Sequence, residues 1–357
     1  GNDLVAGPGT ADADYGTPSK MVLRRATRTI LDGTGGPSDA PMVDFASGST
    51  VGTVFDGFTV TNMPEADHTI PGHAHVVQTR GASGTVINNI VHDNGSSGLG
   101  SHATFRDHNS KDPNKPTLAE RDFRYQNILH EAHPILINNV VFGNEGTGLG
   151  NNHYSYAIMF NNEVFDTVSI EDHEAPGIGC QHGAHTLVVG NLVYRAAWVG
   201  IGGRKGDEQG TYPINRPTAI VVRDNKVYAA GANDTSEQKP DDYPFKGAHG
   251  AGIGADDSGG IDPKTGELQY HIIDNNYVNG ARNSAIGARS ADANYGYVII
   301  TNNEVTGGGQ GAEGSGIGMD GVTASEVSGN KVYGNNSAGI GMKNGAHADL
   351  IDNNESY

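Results

Sequence analysis

The sequence predicts an all-β solenoid, a single domain over residues 1–357 built from stacked short coils. Three observations predict it. One phrase returns down the chain: an Asn-Asn, Gly-Asn or Asp-Asn pair, a short apolar run, a polar stretch, then Gly-Ile-Gly or a close variant. Glycine supplies 53 of 357 residues, about twice ordinary usage, while hydrophobic residues make up only 36%, a balance that suits many tight turns around a narrow apolar centre. Short β-rich runs recur once per phrase without a recurring two-residue turn, which argues for parallel rather than hairpin pairing. Repetition at short period means units that bury their faces only against their neighbours.

The pairs end at Asn89, Asn139, Asn162, Asn191, Asn225, Asn276, Asn303 and Asn330, so successive copies lie 50, 23, 29, 34, 51, 27 and 27 residues apart. The floor near 23 is one bare coil. The two long gaps hold loop excursions at about 105–133 and 233–246, rich in Pro and charge, or in the first case two coils. Strands are expected at runs such as Thr85-Val86-Ile87, Ile135-Leu136-Ile137 and Tyr297-Val298-Ile299-Ile300. Stacking brings like residues about 4.8 Å apart. The Asn pairs then form an amide ladder while tolerating a left-handed turn. In Gly-Ile-Gly the Ile points inward and the glycines relieve a tight corner.

Phe55-Asp56-Gly57-Phe58-Thr59-Val60-Thr61-Asn62, preceded by Thr29-Ile30-Leu31-Asp32-Gly33, resembles the opening coils of many secreted β-helix repeat proteins. With the repeats, nearly the whole chain is similar to the pectin-lyase-like superfamily. The resemblance implies a single-stranded right-handed parallel β-helix of roughly ten or more coils, with long loop insertions, in an extracellular or periplasmic protein. It does not fix an activity, because that superfamily spans polysaccharide lyases, glycoside hydrolases, mannuronan epimerases, copper-site maturation proteins and adhesins. The Asp-Pro-His-Asp string of mannuronan epimerases is absent. Asp256-Asp257 follows Ala248-His249-Gly250, against the order in polygalacturonases, and their closing Arg-x-Lys is missing.

Bulk charge narrows the partners. With 23 basic and 41 acidic residues the formal charge is -18, which repels nucleic acid and bare anionic membrane. No apolar run reaches 18 residues, so no membrane span is expected. The chain opens on Gly1-Asn2-Asp3 without a basic n-region or an apolar h-region, so a secretion signal is expected to have been removed or never to have been present. The single cysteine, Cys180, forms no intrachain disulfide and reads as a small buried residue. No haem or nucleotide is expected. The final residues, Asp352 to Tyr357, restart the repeat, so an open coil there invites a partner or self-assembly.

Candidate chemistry lies just after each Gly-Ile-Gly, on one longitudinal stripe. There the chain carries His102, His153 with Tyr154, His182, Arg204 with Lys205, Asp256 with Asp257, and Arg289. Cleavage of a uronate polymer by β-elimination needs a cation against the carboxylate and a base for the C5 proton. Arg204 or Lys205 fits the first role or the second, and His153, His182 and Tyr154 fit proton transfer. His102, Asp256, Asp257 and Arg289 fit substrate binding. Hydrolysis would need paired carboxylates about 5 to 9.5 Å apart, for which Asp256 with Asp257 or Asp320 are the candidates. For metals, His73 and His75 alternate on one strand face, and Asp256, Asp257 and the following loop to Asp262 suit Ca2+; a transition metal is the alternative. The expected function is binding, with cleavage by β-elimination, of an anionic polysaccharide or cell-surface glycan. The contrary reading is a non-catalytic structural, adhesive or assembly-forming stack.

Overall fold

The polypeptide passes through three parallel sheets in turn, once per coil. A computed structural model describes residues 4–6, 21–23, 29–38, 40–65, 75–105, 128–169, 175–205, 216–231, 250–292, 294–309 and 314–357. A ten-stranded aliphatic sheet runs from Val54–Asp56 to His347–Asp352, an eleven-stranded aromatic sheet from Ile30–Asp32 to Glu355–Ser356, and a ten-stranded glycine sheet from Val43–Phe45 to Ile340–Lys343. Each strand pairs in parallel with the strand one coil away. The expected parallel β-helix of about ten coils is therefore observed.

The 50-residue gap contains one coil, because Thr85–Ile87 pairs directly with Ile135–Ile137. Its excursion leaves through an antiparallel pair, Thr104–Phe105 with Ile128–His130; residues 106–127 lie outside the described residues. The second predicted excursion, 233–246, also lies outside them. The same coil carries an insertion that the sequence reading missed, in which Gly260–Ile261 pairs antiparallel with Leu268–Gln269.

Three inward columns fill the core. Val91, Val141, Val164, Val193 and Val227 come from the aromatic sheet, Val86, Leu136, Met159, Val188 and Val222 from the aliphatic sheet, and Leu99, Leu149, Ile178, Ile201 and Ile253 from the glycine sheet. Outside the aromatic sheet a second column stacks ring on ring, with Phe142 and Phe165, and Phe165 and Tyr194, each 4.7 Å apart between centroids.

The Asn pair divides its labour. The first residue takes the left-handed turn, with φ of 58° at Asn88, 53° at Asn138 and 54° at Asn275; glycine substitutes at Gly190 and Gly329. The second is buried and builds the ladder. From Asn89 through Asn139, Asn162, Asn191, Asn225, Asn276, Asn303 and Asn330 to Asn354, each Nδ2 donates to the next Oδ1 at 2.9 to 3.1 Å. The backbone N–H of each donates to the same oxygen. This satisfies polar groups that a narrow core would otherwise strand.

Candidate functional site

The glycine strands place the candidate residues by simple alternation. Along Ile201–Arg204, Ile201 points inward, Gly202 outward, Gly203 inward and Arg204 outward. The register aligns Gly100, Gly150, Gly179, Gly202, Gly254, Gly287, Gly318 and Gly341 in one outward column. Two residues on lies a polar outward column of Arg80, His102, Asn152, Gln181, Arg204, Asp256, Arg289, Asp320 and Lys343.

The second glycine of each motif is therefore not at a corner, as the sequence suggested. It lies in the strand, under the turn that leads into that face. A Cβ on Gly179 would stand 2.8 Å from Pro176 Cγ, one on Gly202 2.8 Å from Val199 Cγ1, and one on Gly318 2.5 Å from Ser284 Oγ. The first glycine does sit at a tight inner corner: a Cβ on Gly177 would stand 2.7 Å from the Gly200 carbonyl oxygen. The outcome is an outward face with glycine backbone on one side and polar side chains on the other, partly open at Gly179, Gly202, Gly318 and Gly341 and covered at Gly100, Gly150, Gly254 and Gly287.

Immediately beyond the polar column the strands end, and there the histidines meet. The His153 and His182 rings stack at 4.4 Å, and His102 meets His153 edge-on at 6.2 Å. Both His153 and His182 take left-handed backbone conformations, φ 46° and 59°. His102 is held by its Nδ1, which donates to the Ala103 carbonyl at 2.9 Å, and by its Nε2, which accepts from Gln78 at 2.6 Å; this network assigns the neutral tautomer. The next rung brings Lys205, whose Nζ lies 3.0 Å from Asp292 Oδ2 and 3.8 Å from the centre of the Tyr295 ring. The backbone N–H of Asn294, then Lys205, hold the Asp292 carboxyl below the usual carboxylate range. Asp292 and Tyr295 were missed in the sequence. Their only signal was position, in the turn after Ser290 on the same stripe.

The polar column alternates in charge: Arg204, Asp256, Arg289, Asp320 and Lys343 are successive neighbours. Lys343 Nζ stands 3.4 Å from Asp320 Oδ2. Over the last of these rungs a groove of about 310 Å³ lies on Gly287, Gly318 and Gly341, with Ser284 and Ser315 on one wall and Arg289 and Lys343 on the other.

Several predicted members belong elsewhere. Tyr154 is fully buried at φ 60°, with the Arg216 guanidinium 5.1 Å from its ring, so it supports the interior and meets no substrate. Asp257 is buried, and its Oδ1 accepts from the Ser290 hydroxyl at 2.6 Å and the Ala291 N–H at 2.9 Å; it pins the next turn rather than a ligand. Asp256 stays in the outward column but is 4% exposed between Arg204 and Arg289. Asp262 caps its own insertion by accepting from the Lys264 N–H at 2.8 Å, so the supposed calcium loop does not converge. His73 lies outside the described residues, while the His75 ring is laid against Gly100 and Gly150. Three rungs separate Gly150 from Gly254 beside Asp256, roughly 14 Å, so His75 and the aspartates do not share one ion. Among the described residues no group of three or more His, Cys, Asp or Glu is placed to hold a metal. Cys180 is buried inward and desolvation pushes its thiol up to about 12, so it is no nucleophile.

No protein-family model matches the chain, and no curated protein sequence does. Among solved structures, the periplasmic alginate epimerase AlgG is similar at 12% identity, over 99% of this chain and 88% of that one, with a TM-score of 0.45. The A-module of the Azotobacter vinelandii mannuronan C-5 epimerase AlgE6 matches at 11% identity, over 94% and 81% of the two chains, with a TM-score of 0.33. The catalytic domain of a GH87 α-1,3-glucanase matches at 10% identity, over 87% and 63%, with a TM-score of 0.30.

Proposed function

We propose that the outer face of the glycine sheet binds an anionic, uronate-bearing polysaccharide of the cell exterior, and cleaves it by β-elimination. One observation supports this reading above the others. The stacked His153 and His182 adjoin the column Gln181, Arg204, Asp256 and Arg289, so imidazoles and guanidinium groups share one open face. The outward column carries four cations (Arg80, Arg204, Arg289, Lys343) against two acids (Asp256, Asp320), in a chain of net charge -18.

The roles follow from the contacts. Arg204 and Arg289 meet the uronate carboxylate, and neutralising that charge makes the C5 proton more acidic. His182, backed by the His153 ring, takes that proton. The C5–H electron pair becomes the C4–C5 double bond, the C4–O bond breaks with its electrons going to the oxygen, and that oxygen takes its proton from the His182 imidazolium or from solvent water. Lys205, paired with Asp292 and laid on Tyr295, serves as a cation rather than as the base.

A panel of alginate, pectate and glycosaminoglycans, with and without calcium, tests the reading. Retention on a uronate matrix with growing ultraviolet absorbance from unsaturated uronate is expected, and Arg204→Ala should weaken retention while His182→Ala removes the absorbance. A panel flat in both readouts overturns the proposal in favour of a non-catalytic structural or adhesive stack.

A further inference from the structure

The aliphatic sheet turns a very different face outward. Its central outward column reads Ile135, Ile158, Leu187, Val221, Ile272 and Ile299 on six successive rungs. Beside it runs a second column that begins with Ile137, Phe160 and Val189. On the other flank the Tyr156 ring stacks on His133 at 4.9 Å. Three of these apolar side chains stand open, Ile158 41% exposed, Phe160 46% and Leu187 40%, and the other aliphatic ones are half-buried. Apart from His185 and the inward, buried His271, the charged residues on these six strands are Arg223 and Asp274, and they neutralise one another at 2.9 Å.

Six rungs at the ordinary strand spacing, by three outward positions, cover roughly 600 Å², a span that includes His185, Arg223, Asp274 and Thr301 beside the apolar side chains. Its apolar part falls within what a monomer ordinarily exposes in one patch, about 300 to 600 Å². The whole span approaches the roughly 800 Å² that each partner contributes to a standard interface.

We infer that a second copy of this chain docks here, in a two-fold dimer centred between Leu187 and Val221. The column suits a two-fold axis because it holds three aliphatic residues on either side of that centre. Thr85 closes it at one end and Glu326 at the other. A rotation about the centre therefore sets Ile135, Ile158 and Leu187 against Val221, Ile272 and Ile299 of the other copy, apolar on apolar along this column, while in the second column it lays Val189 and Phe160 against the mutually neutralised Arg223 and Asp274. Charge points the same way. Two copies at -18 each repel over most of their surface, and this neutral face is where they approach at least electrostatic cost. The contact is reversible, since its area lies at the low end for specific interfaces and net repulsion opposes it.

Sedimentation of the full chain across a concentration series, at low and at high salt, decides the matter. The mass should rise towards twice that of the monomer, and more readily at high salt, because screening removes the repulsion while apolar contact persists. Leu187→Glu should weaken association by more than about tenfold, by burying a carboxylate beside its own symmetry mate. Its melting temperature and its retention on uronate matrices should match the wild type. Lys226→Glu, exposed on the aromatic sheet, should dimerise like the wild type or better. A wild type that stays monomeric at its highest soluble concentration in both salts overturns the dimer. So does a folded Leu187→Glu that associates as the wild type does, and so does association that weakens with salt.

Discussion

Two turns of the same coil obey opposite rules. Where the aliphatic sheet passes into the aromatic sheet, nearly every rung places an asparagine in the ladder, from Asn89 to Asn354, with the same two bonds to the next rung. Where the glycine strands end, successive rungs carry His153, His182, Lys205, Asp257 and Ser290. The first turn is dictated by the stack, because a buried amide needs an identical amide above and below it. The second is partly open to solvent at His153, His182 and Lys205, where the stack does not dictate the side chain, and closes over at Asp257 and Ser290. Sameness down the column marks architecture, and variation on a fixed backbone marks the surface available for chemistry.

The sharpest separation of the two turns comes from acid. Buried His271, its Nδ1 2.8 Å from the Ser258 hydroxyl, and His185 pack behind the variable turn. Desolvation lowers His271 to about 3, and desolvation, then the Arg216 charge, lowers His185 to about 4, both from 6.5. The unfolded chain therefore takes up protons first. Stability is full above pH 6.5 and is lost as pH falls from there towards 4 and 3, on the order of a few kcal/mol. Melting curves across that window should show the loss, and His271→Gln should flatten it; a profile level from 7 to 4 would refute the account. The ladder holds no titrating group and contributes nothing to the slope.

Next in size is a break in the ladder itself. Asn191→Ala strands the Asn162 N–H and the Met159 carbonyl, which should cost about 3 kcal/mol. Thermal melting reads this directly, and a shift of under a degree would show that the ladder is dispensable. The smallest effect on stability belongs to the variable column. Arg204→Ala should lower the melting temperature by less than Asn191→Ala does, by the loss of a half-buried charge beside Asp256, about 1 kcal/mol, while retention on uronate falls about tenfold or more. A variant that unfolds instead would return Arg204 to the architecture.

Sequence legibility follows the same division. Asn89, Asn139 and their successors were readable because they recur, and recurrence is visible without coordinates. Gly202 was readable as structural but not in its actual role, since nothing local says that Val199 folds across it. Tyr154 stands one residue after His153, yet a left-handed turn at both residues sends its ring inward under Arg216, which is 62 residues further along the chain (216 less 154). The pairing of Lys205 with Asp292 spans 87 residues and two changes of rung. Such contacts depend on which loop returns to which strand end, and hydrophobic periodicity carries no trace of that.

The amide ladder has one consequence for how such a chain changes over generations. Its rungs close with the same bond lengths whether 23 or 51 residues separate them, as between Asn139 and Asn162 or Asn225 and Asn276. Each rung offers its successor one socket of constant form and is indifferent to what hangs between. A whole coil can thus be duplicated or excised, or a loop exchanged, without retuning the neighbours. The length of the molecule and the cargo on its turns are free to vary independently of the joint that holds it together.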